Sequence, residues 1–361
     1  MTTRPKTAPT TGDSADSSIP SIERTAISSR RFMAGAGALA IAGLALANHA
    51  LARRAERSHP ARGRFITVDG VRLHYLEQGS GPAIVLLHGN GAMAEDFVIS
   101  GVLERLAHNH RVIAFDRPGF GFSERPRSRV WAPDAQAALF EQALSAIGVT
   151  HPVIVGHSWG TLVAVAMALR PARSIRGLVL LSGYYYPTVR ADTATSGWPA
   201  VPLFGDALRY TISPLFARLF ASAAYRKLFA PSRVTERFQR EFPTEMAVRP
   251  SQIRASAAET ALMVPSAAIL SSHYAELTVP IALMAGTEDG IANFERQSER
   301  FAAEVPNSTL YGVPGVGHML HHVVPDRVAA IIAETAQESR DAGNGGSVQS
   351  RADQGATKET V

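Results

Sequence analysis

Cysteine is absent from the 361-residue sequence. That excludes disulfide staples, thiolate nucleophiles, and zinc or iron–sulfur centres held by thiolates. It leaves the redox compartment open, because a chain without thiols folds equally well inside or outside a cell. Charge is sparse, at 19% of residues, against 46% hydrophobic residues, which excludes a wholly disordered chain. The net charge of +5 and the pI near 9.7 raise the question of nucleic acid. The arginines are scattered, however, with no basic stripe interleaved with aromatics, so the excess reads as a solvated surface and no nucleic-acid partner is expected. No internal repeat is visible, and nothing marks a protein partner. The length suits two average domains or one large α/β domain with an insertion.

Strongly hydrophobic runs long enough to span a bilayer are lacking, and the nearest approach lies close to the N-terminus. Residues 1–31 are rich in Thr, Ser, Pro and Arg without apolar period, and disorder is expected there. Phe32 to Ala47 follows, sixteen residues of which ten are Gly or Ala. At about 1.5 Å per residue it spans roughly 24 Å, less than a ~30 Å hydrocarbon core, although counting on to Ala52 just reaches across. Arg30 and Arg31 precede it, and Ala50-Leu51-Ala52 has the form of a signal-peptidase site. Ser29-Arg30-Arg31-Phe32-Met33 also resembles a twin-arginine export signal, with the phenylalanine one place early. Residues 32–52 therefore read as a signal peptide cleaved after Ala52 or as a retained membrane anchor. Both place the protein outside the cytoplasm, exported or held at the membrane. Arginines flank both sides of the run, so charge counting does not fix its orientation.

The globular part begins near Arg64. Phe65–Val68 and Val71–Tyr75, joined by Asp69-Gly70, read as a β-hairpin. Apolar strand runs follow at Ala83–Leu87, Val112–Phe115, Pro152–Val155, Leu178–Leu181, Ile281–Ala285 and Ser308–Tyr311, mostly separated by helical patterns. That alternation predicts a mostly parallel sheet with helices on both faces. From about Thr188 to Ala275 the rhythm breaks into short helical patterns cut by prolines, which read as an inserted helical lid over 188–275. The core is then 64–187 together with 276–337, and 338–361 is expected to be a disordered tail.

Gly156-His157-Ser158-Trp159-Gly160 follows one of those strands and precedes a helical run, the strand–turn–helix context that gives a G-x-S-x-G motif meaning. Glycines on either side of Ser158 permit a sharp turn that lifts its hydroxyl above the sheet, at the positive end of the next helix.

With these pieces the chain resembles the α/β-hydrolase superfamily across residues 64–337. The resemblance rests on His88-Gly89-Asn90-Gly91, Asp116 to Ser123, the turn at Ser158, Gly286-Thr287-Glu288-Asp289 and Gly315-Val316-Gly317-His318, in that order. It implies an eight-stranded, mostly parallel sheet with an inserted lid and a serine nucleophile. A serine hydroxyl needs a base within hydrogen-bond reach, and the resemblance places His318 in that role. A carboxylate must orient the histidine. Asp289, 29 residues before His318, completes the order Ser, Asp, His, with Glu288 as its competitor. The other family position for an acid holds Ser182 and Gly183. By resemblance, the backbone N–H groups of Asn90 and Trp159 form the oxyanion hole.

Their side chains are then expected to face the pocket. An Asn/Trp pair of this kind binds halide in haloalkane dehalogenases, beside an aspartate nucleophile. Here the nucleophile is serine, and an alkyl ether of serine offers no carbonyl-type centre for hydrolysis, which disfavours dehalogenation and epoxide hydrolysis alike. His88, His157 and Asp116 read as structural, and His321 and His322 as solvated residues at a helix start.

Ten of the 26 aromatic residues lie between Tyr184 and Phe229. Phe204, Leu208, Ile212, Phe216 and Phe220 fall at intervals of four, a helical stripe that Pro214 should kink. Trp198, Phe204 and Phe216 are the candidates for lining an apolar substrate pocket. The expected activity is hydrolysis of the carboxylic ester of a small hydrophobic substrate through a Ser158–His318–Asp289 triad, with no metal and no cofactor. The alternatives are a C–C bond hydrolase of a β-diketone-like substrate, promiscuous perhydrolysis, and a non-catalytic module that binds a small ligand.

Overall fold

A computed structural model of the chain describes residues 1, 21–170, 175–188, 198–201 and 204–338. It forms two compact units, Met1–Ala47 and Asn48–Val361. The expected lid stretch 189–197 and the tail 339–361 lie outside the described residues.

The first unit is helical over 21–47, within helix α1 (Ser21–Ser58). Disorder was expected through residue 31, and for 21–31 that expectation is corrected. The segment follows Pro20 and contains neither Pro nor Gly, so nothing stops the helix of the alanine-rich run from propagating back through it. Leu39, Ile41 and Leu46 are exposed.

The second unit is built on an eight-stranded sheet in the order β1-β2-β4-β3-β5-β6-β7-β8. Strands β1 (Arg64–Val68) and β2 (Val71–Gln78) form the expected antiparallel hairpin. Asp69 (φ 49°) and Gly70 (φ 71°) both take the left-handed conformation that a two-residue hairpin turn requires. β3 (Ala83–Leu87), β4 (Arg111–Phe115), β5 (Val153–His157), β6 (Gly177–Leu181), β7 (Ile281–Gly286) and β8 (Ser308–Val313) run parallel to one another.

These strands read as unbroken apolar runs because both faces are covered. Val85, Leu87, Ile113, Phe115 and Ile154 join one core cluster, while Ile84, Leu86, Val112, Ala114, Val153 and Val155 join the other, alternating residue by residue. α2 (Glu95–Ile99) and α3 (Val102–Leu106) follow β3, α4 (Pro133–Ala146) follows β4, and α5 (Gly160–Ala168) follows β5. Leu139, Phe140 and Val163 of α4 and α5 pack on the first face, and Leu103 and Leu106 of α3 on the second.

Between β6 and β7 the described residues are helical and contain no strand. They comprise a single turn at Trp198–Ala200, then α6 (Phe204–Tyr210), α7 (Ser213–Phe229), α8 (Glu236–Glu241), α9 (Thr244–Ala247) and α10 (Pro250–Ser271), with a last turn at Tyr274–Glu276. This is the inserted cap. Pro214 does more than kink the long apolar stripe. It starts a new helix at its first turn, where a missing N–H costs nothing, so the stripe is divided between α6 and α7. α11 (Arg300–Glu304), α12 (Leu320–Val323) and a helix α13 over 325–338 complete the fold.

Candidate active site

Four chain segments converge above the carboxyl ends of β3, β5 and β7. Ser158 sits on the turn from β5 into α5 with φ 52°, a left-handed conformation uncommon for a residue with a side chain. The turn is held by the Ser158 N–H, which donates to the Leu181 carbonyl at 2.9 Å, and by the Thr161 hydroxyl, which donates to the Ser158 carbonyl at 2.6 Å. It is also tight: a Cβ on Gly156 would lie 2.6 Å from the Gly160 carbonyl oxygen, and one on Gly160 would run into the Leu87 carbonyl. Glycine at both places is therefore a steric requirement of this backbone.

The three residues expected to act together do meet. The Ser158 hydroxyl donates to His318 Nε2 at 2.8 Å, and His318 Nδ1–H donates to Asp289 Oδ2 at 2.8 Å. Asp289 Oδ1 accepts the backbone N–H groups of Ile291 at 2.7 Å and Ala292 at 2.9 Å, which fixes the carboxylate's orientation. Burial alone would raise the Asp289 carboxyl, but the His318 imidazole and those two N–H donors hold it below the usual carboxylate range. Glu288, its competitor, is exposed to solvent.

Asn90 and Trp159 border the Ser158 hydroxyl, and among the described residues neither backbone N–H has an acceptor, which leaves both available for a developing oxyanion. Their side chains, expected to face the pocket, do line it, yet their donors are spent on the cap. Trp159 Nε1–H donates to the Glu259 carbonyl at 3.0 Å, and Asn90 Nδ2–H donates to the Ser256 carbonyl and the Thr260 hydroxyl at 3.2 and 3.1 Å. Asn90 Oδ1 is buried and accepts nothing from the described residues.

Beneath this pair, fully buried Arg117 stacks on the Trp159 ring at 4.8 Å, donates to the His88 carbonyl at 2.7 Å, and pairs through both terminal nitrogens with Glu259 of α10. Gln136 donates to the same carboxylate at 3.1 Å. An ion pair inside the protein thus pins the cap to the floor of the site. Sequence reasoning missed it, because Arg117 and Glu259 are 142 positions apart.

The expected structural residues are structural. His88 Nδ1–H donates to the Gly89 carbonyl while Nε2 accepts the Arg117 N–H, and burial pushes its pKa down to about 3. Asp116 accepts from Ala94 N–H, Phe122 N–H and His74 Nδ1–H at 2.8, 2.9 and 2.7 Å. His321 and His322 are corrected. They are buried rather than solvated, and both donate through Nε2 to Asp96 at 2.8 Å. Burial alone would raise Asp96, but the two imidazoles hold it well below the usual carboxylate range. The contact fastens α12, which follows His318 directly, onto α2. His157 adds a bond of 3.1 Å from Nε2–H to the His318 carbonyl. Burial, then the neighbouring His321 and His318, hold it neutral. Asp96, His157 and His321 bring an oxygen and two nitrogens within 4.8 Å of one another, a spacing some metal sites use, but two imidazole N–H groups already occupy the carboxylate.

A cavity of about 290 Å³ opens over Ser158. Its apolar wall comes from Tyr225 and Leu228 of α7, Phe238 and Phe242 in and beside α8, and Met263 of α10. Two of the expected lining residues are elsewhere: Phe204 and Phe216 are 50% and 57% exposed and touch no part of this cavity. The side chain of Trp198 lies outside the described residues. The stripe's spacing of four spans two helices, α6 and α7, and cannot say which way either face turns. The signal that could have found the wall is Phe238 and Phe242, four apart and stacked with centroids 4.5 Å apart.

Comparison with known proteins agrees with the fold. A family profile described as the alpha/beta hydrolase fold matches residues 82–325, and the chain belongs to that family. It is 27% identical over 290 residues to haloalkane dehalogenase 2 of Mycobacterium tuberculosis, covering 76% of this chain and 95% of the relative. It is 35% identical over 153 residues to 2-hydroxymuconate semialdehyde hydrolase of Pseudomonas putida, covering 41% of this chain and 53% of that one. Among solved structures it is similar to an esterase from Exiguobacterium antarcticum, with a TM-score of 0.63, 20% identity, and coverage of 76% of this chain and 100% of the other. A bacterial membrane phospholipase A matches at TM-score 0.60 and 19% identity, over 88% of this chain and 99% of its own. The molecule is an α/β hydrolase.

Proposed function

We propose that the protein hydrolyses carboxylic esters with a hydrophobic acyl or alcohol part, through an acyl-enzyme on Ser158. The observation that carries this reading is the continuous hydrogen-bond chain Ser158–His318–Asp289 opening into an apolar cavity. His318 takes the Ser158 proton as the hydroxyl attacks the ester carbonyl, and Asp289 stabilises the resulting imidazolium. The Asn90 and Trp159 N–H groups meet the oxyanion, each worth a few kcal/mol in the transition state. The imidazolium then returns its proton to the departing alcohol. Water, activated by the same base, hydrolyses the acyl-serine.

The dehalogenase likeness does not carry over to activity. Alkylation of Ser158 would give an ether that no step at a carbonyl could reverse, and the Trp159 indole N–H is committed to Glu259. A second reading, hydrolysis of a C–C bond next to a carbonyl, uses the same triad and draws on the likeness to the Pseudomonas putida enzyme.

Labelling with a fluorophosphonate, followed by turnover of a p-nitrophenyl ester series, separates the readings. The ester reading expects both labelling at Ser158 and turnover. Each methylene buried is worth about 0.8 kcal/mol, so kcat/KM should rise a little under fourfold per carbon until the acyl chain outgrows the cavity. Labelling without ester turnover favours C–C cleavage, and no labelling favours a binding module.

At its N-terminus the chain has a helix, Gly35–Ser58, long and apolar enough to cross a membrane by length and composition, of which the part from Asn48 on belongs to the second unit. Between signal and anchor, the reading we favour is a retained anchor. Asn48 and Ala55, on either side of the Ala52 cleavage position, are both buried in the second unit, and Asn48 bonds to Tyr210 and Thr211. Cleavage would remove the first of them.

A further inference from the structure

The cap carries an apolar face that covers nothing among the described residues. Ile212, Leu215, Phe216, Leu219 and Phe220 recur at the spacing i, i+3, i+4, i+7, i+8, one continuous stripe along the start of α7. All five are exposed, Leu219 by 72%, and the Phe216 and Phe220 rings stack on one another rather than on the protein. Phe204 of α6 is exposed beside them in sequence. Soluble proteins seldom present contiguous apolar patches without a use for them.

Two observations say what the stripe meets. The first is charge: α7 has no acidic residue and ends in two basic ones, Arg226 and Lys227, which suits anionic headgroups, while its third, Arg218, pairs with Glu245. The second is where the chain arrives. Asn48, the residue that directly follows the apolar run, is buried, and its side-chain amide donates to the carbonyls of Tyr210 and Thr211 at 3.0 and 2.8 Å, at the junction of α6 and α7. Arg218, on the turn after Phe216, donates to the Asn48 side-chain oxygen at 3.3 Å. The second unit therefore begins, at Asn48, at the foot of the exposed stripe.

We propose that the Ile212–Phe220 stripe is a membrane-docking surface, lying in the headgroup and upper acyl region of a bilayer containing anionic lipid. This rests on the anchor reading of the N-terminal run and not on ester hydrolysis. It gives the cap a second role, because the far end of α7 carries Tyr225 and Leu228 in the wall of the catalytic cavity. A helix wetted by lipid at one end and lining the pocket at the other sets the mouth of the site close to substrates dissolved in the membrane.

The absence of native cysteine makes the test clean. The full chain is prepared as Leu219→Cys and, as a control at the exposed first residue of α8, as Glu236→Cys. Each is labelled with an environment-sensitive NBD fluorophore and reconstituted into vesicles of three parts phosphatidylcholine to one part phosphatidylglycerol. The docking surface predicts that the probe at 219 shifts to the blue and is quenched at least about twofold by shallow nitroxide lipids, while the probe at 236 stays water-like. Failure of the chain to float with the vesicles overturns the anchor and the docking with it. Flotation with a water-like probe at 219 overturns the docking alone. A blue shift without nitroxide quenching also overturns it and assigns the face to a second copy of the chain. None of these outcomes bears on the esterase reading, which is tested by labelling at Ser158.

Discussion

At the scale of single residues, the site is a relay whose members have little value apart. Ser158→Ala removes one oxygen and almost no packing, so the fold should survive while kcat/KM falls by at least about 10⁴-fold. His318→Ala should lose a similar amount, and the double variant little more, because triad losses do not add. Steady-state kinetics on a p-nitrophenyl ester check this, and a Ser158→Ala enzyme retaining a tenth of wild-type activity would show that another nucleophile operates. The buried imidazoles govern acid stability. His88 has a pKa of about 3 in the fold against 6.5 ordinarily, so between those values the unfolded chain holds a proton that the folded chain refuses. Stability should fall as pH drops through that window, by roughly 2 kcal/mol at pH 5 from His88 alone. His157 and His321, also lowered by burial, act in the same direction. His74 opposes them: burial lowers its pKa, but the Asp116 carboxylate more than offsets this, so its contribution is complete below 6.5 and fades at higher pH. Asp289 and Asp96, both lowered, add their loss only below 3.8. Urea unfolding at pH 7.5, 6 and 5 reads the slope, and a flat profile would mean that these rings are charged in the folded state.

At the scale of elements, the cap is fastened through α10. Glu259 accepts from Arg117 and Gln136 without solvent, so Glu259→Gln leaves a buried guanidinium without its counter-charge. Breaking such a pair costs about 3–5 kcal/mol, which should lower Tm by something on the order of 10 °C. Calorimetry checks it. A cap that swings more freely should also raise KM for long-chain esters more than it lowers kcat, since the wall residue Met263 lies one turn further along α10. The β3, β5, β7 and β8 ends contribute the catalytic half of the site, and the helices between β6 and β7 contribute most of the apolar wall of its cavity.

At the scale of the whole molecule, the anchor reading proposed for the N-terminal run would place the chemistry at a membrane. An anchor predicts that the chain recovered from its native host sits in the membrane fraction with Asn48 still attached. N-terminal sequencing settles it, and a mature start at Arg53 would mean export with cleavage. Cleavage would also take away the bonds from Asn48 to Tyr210 and Thr211. The cleaved form should then unfold at a lower temperature than the intact chain.

The strands, the Asp69-Gly70 hairpin and the turn at Ser158 were legible from the sequence itself, and Asp289 and His318 from the family resemblance that their motifs carry. The former are written in local chemistry: buried strands as unbroken apolar runs and tight turns as glycines. What the sequence could not carry is orientation and long-range pairing. The stripe through Phe216 and Phe220 has the same period whether it faces a cavity or solvent, and only the packing of α7 shows that it faces out. His321 and His322 read as surface residues until Asp96, 225 positions earlier, is seen to receive them. Arg117 and Glu259 carry no local mark of being partners, because a buried ion pair is defined by the exclusion of water, and water is excluded only once the cap has closed over the sheet.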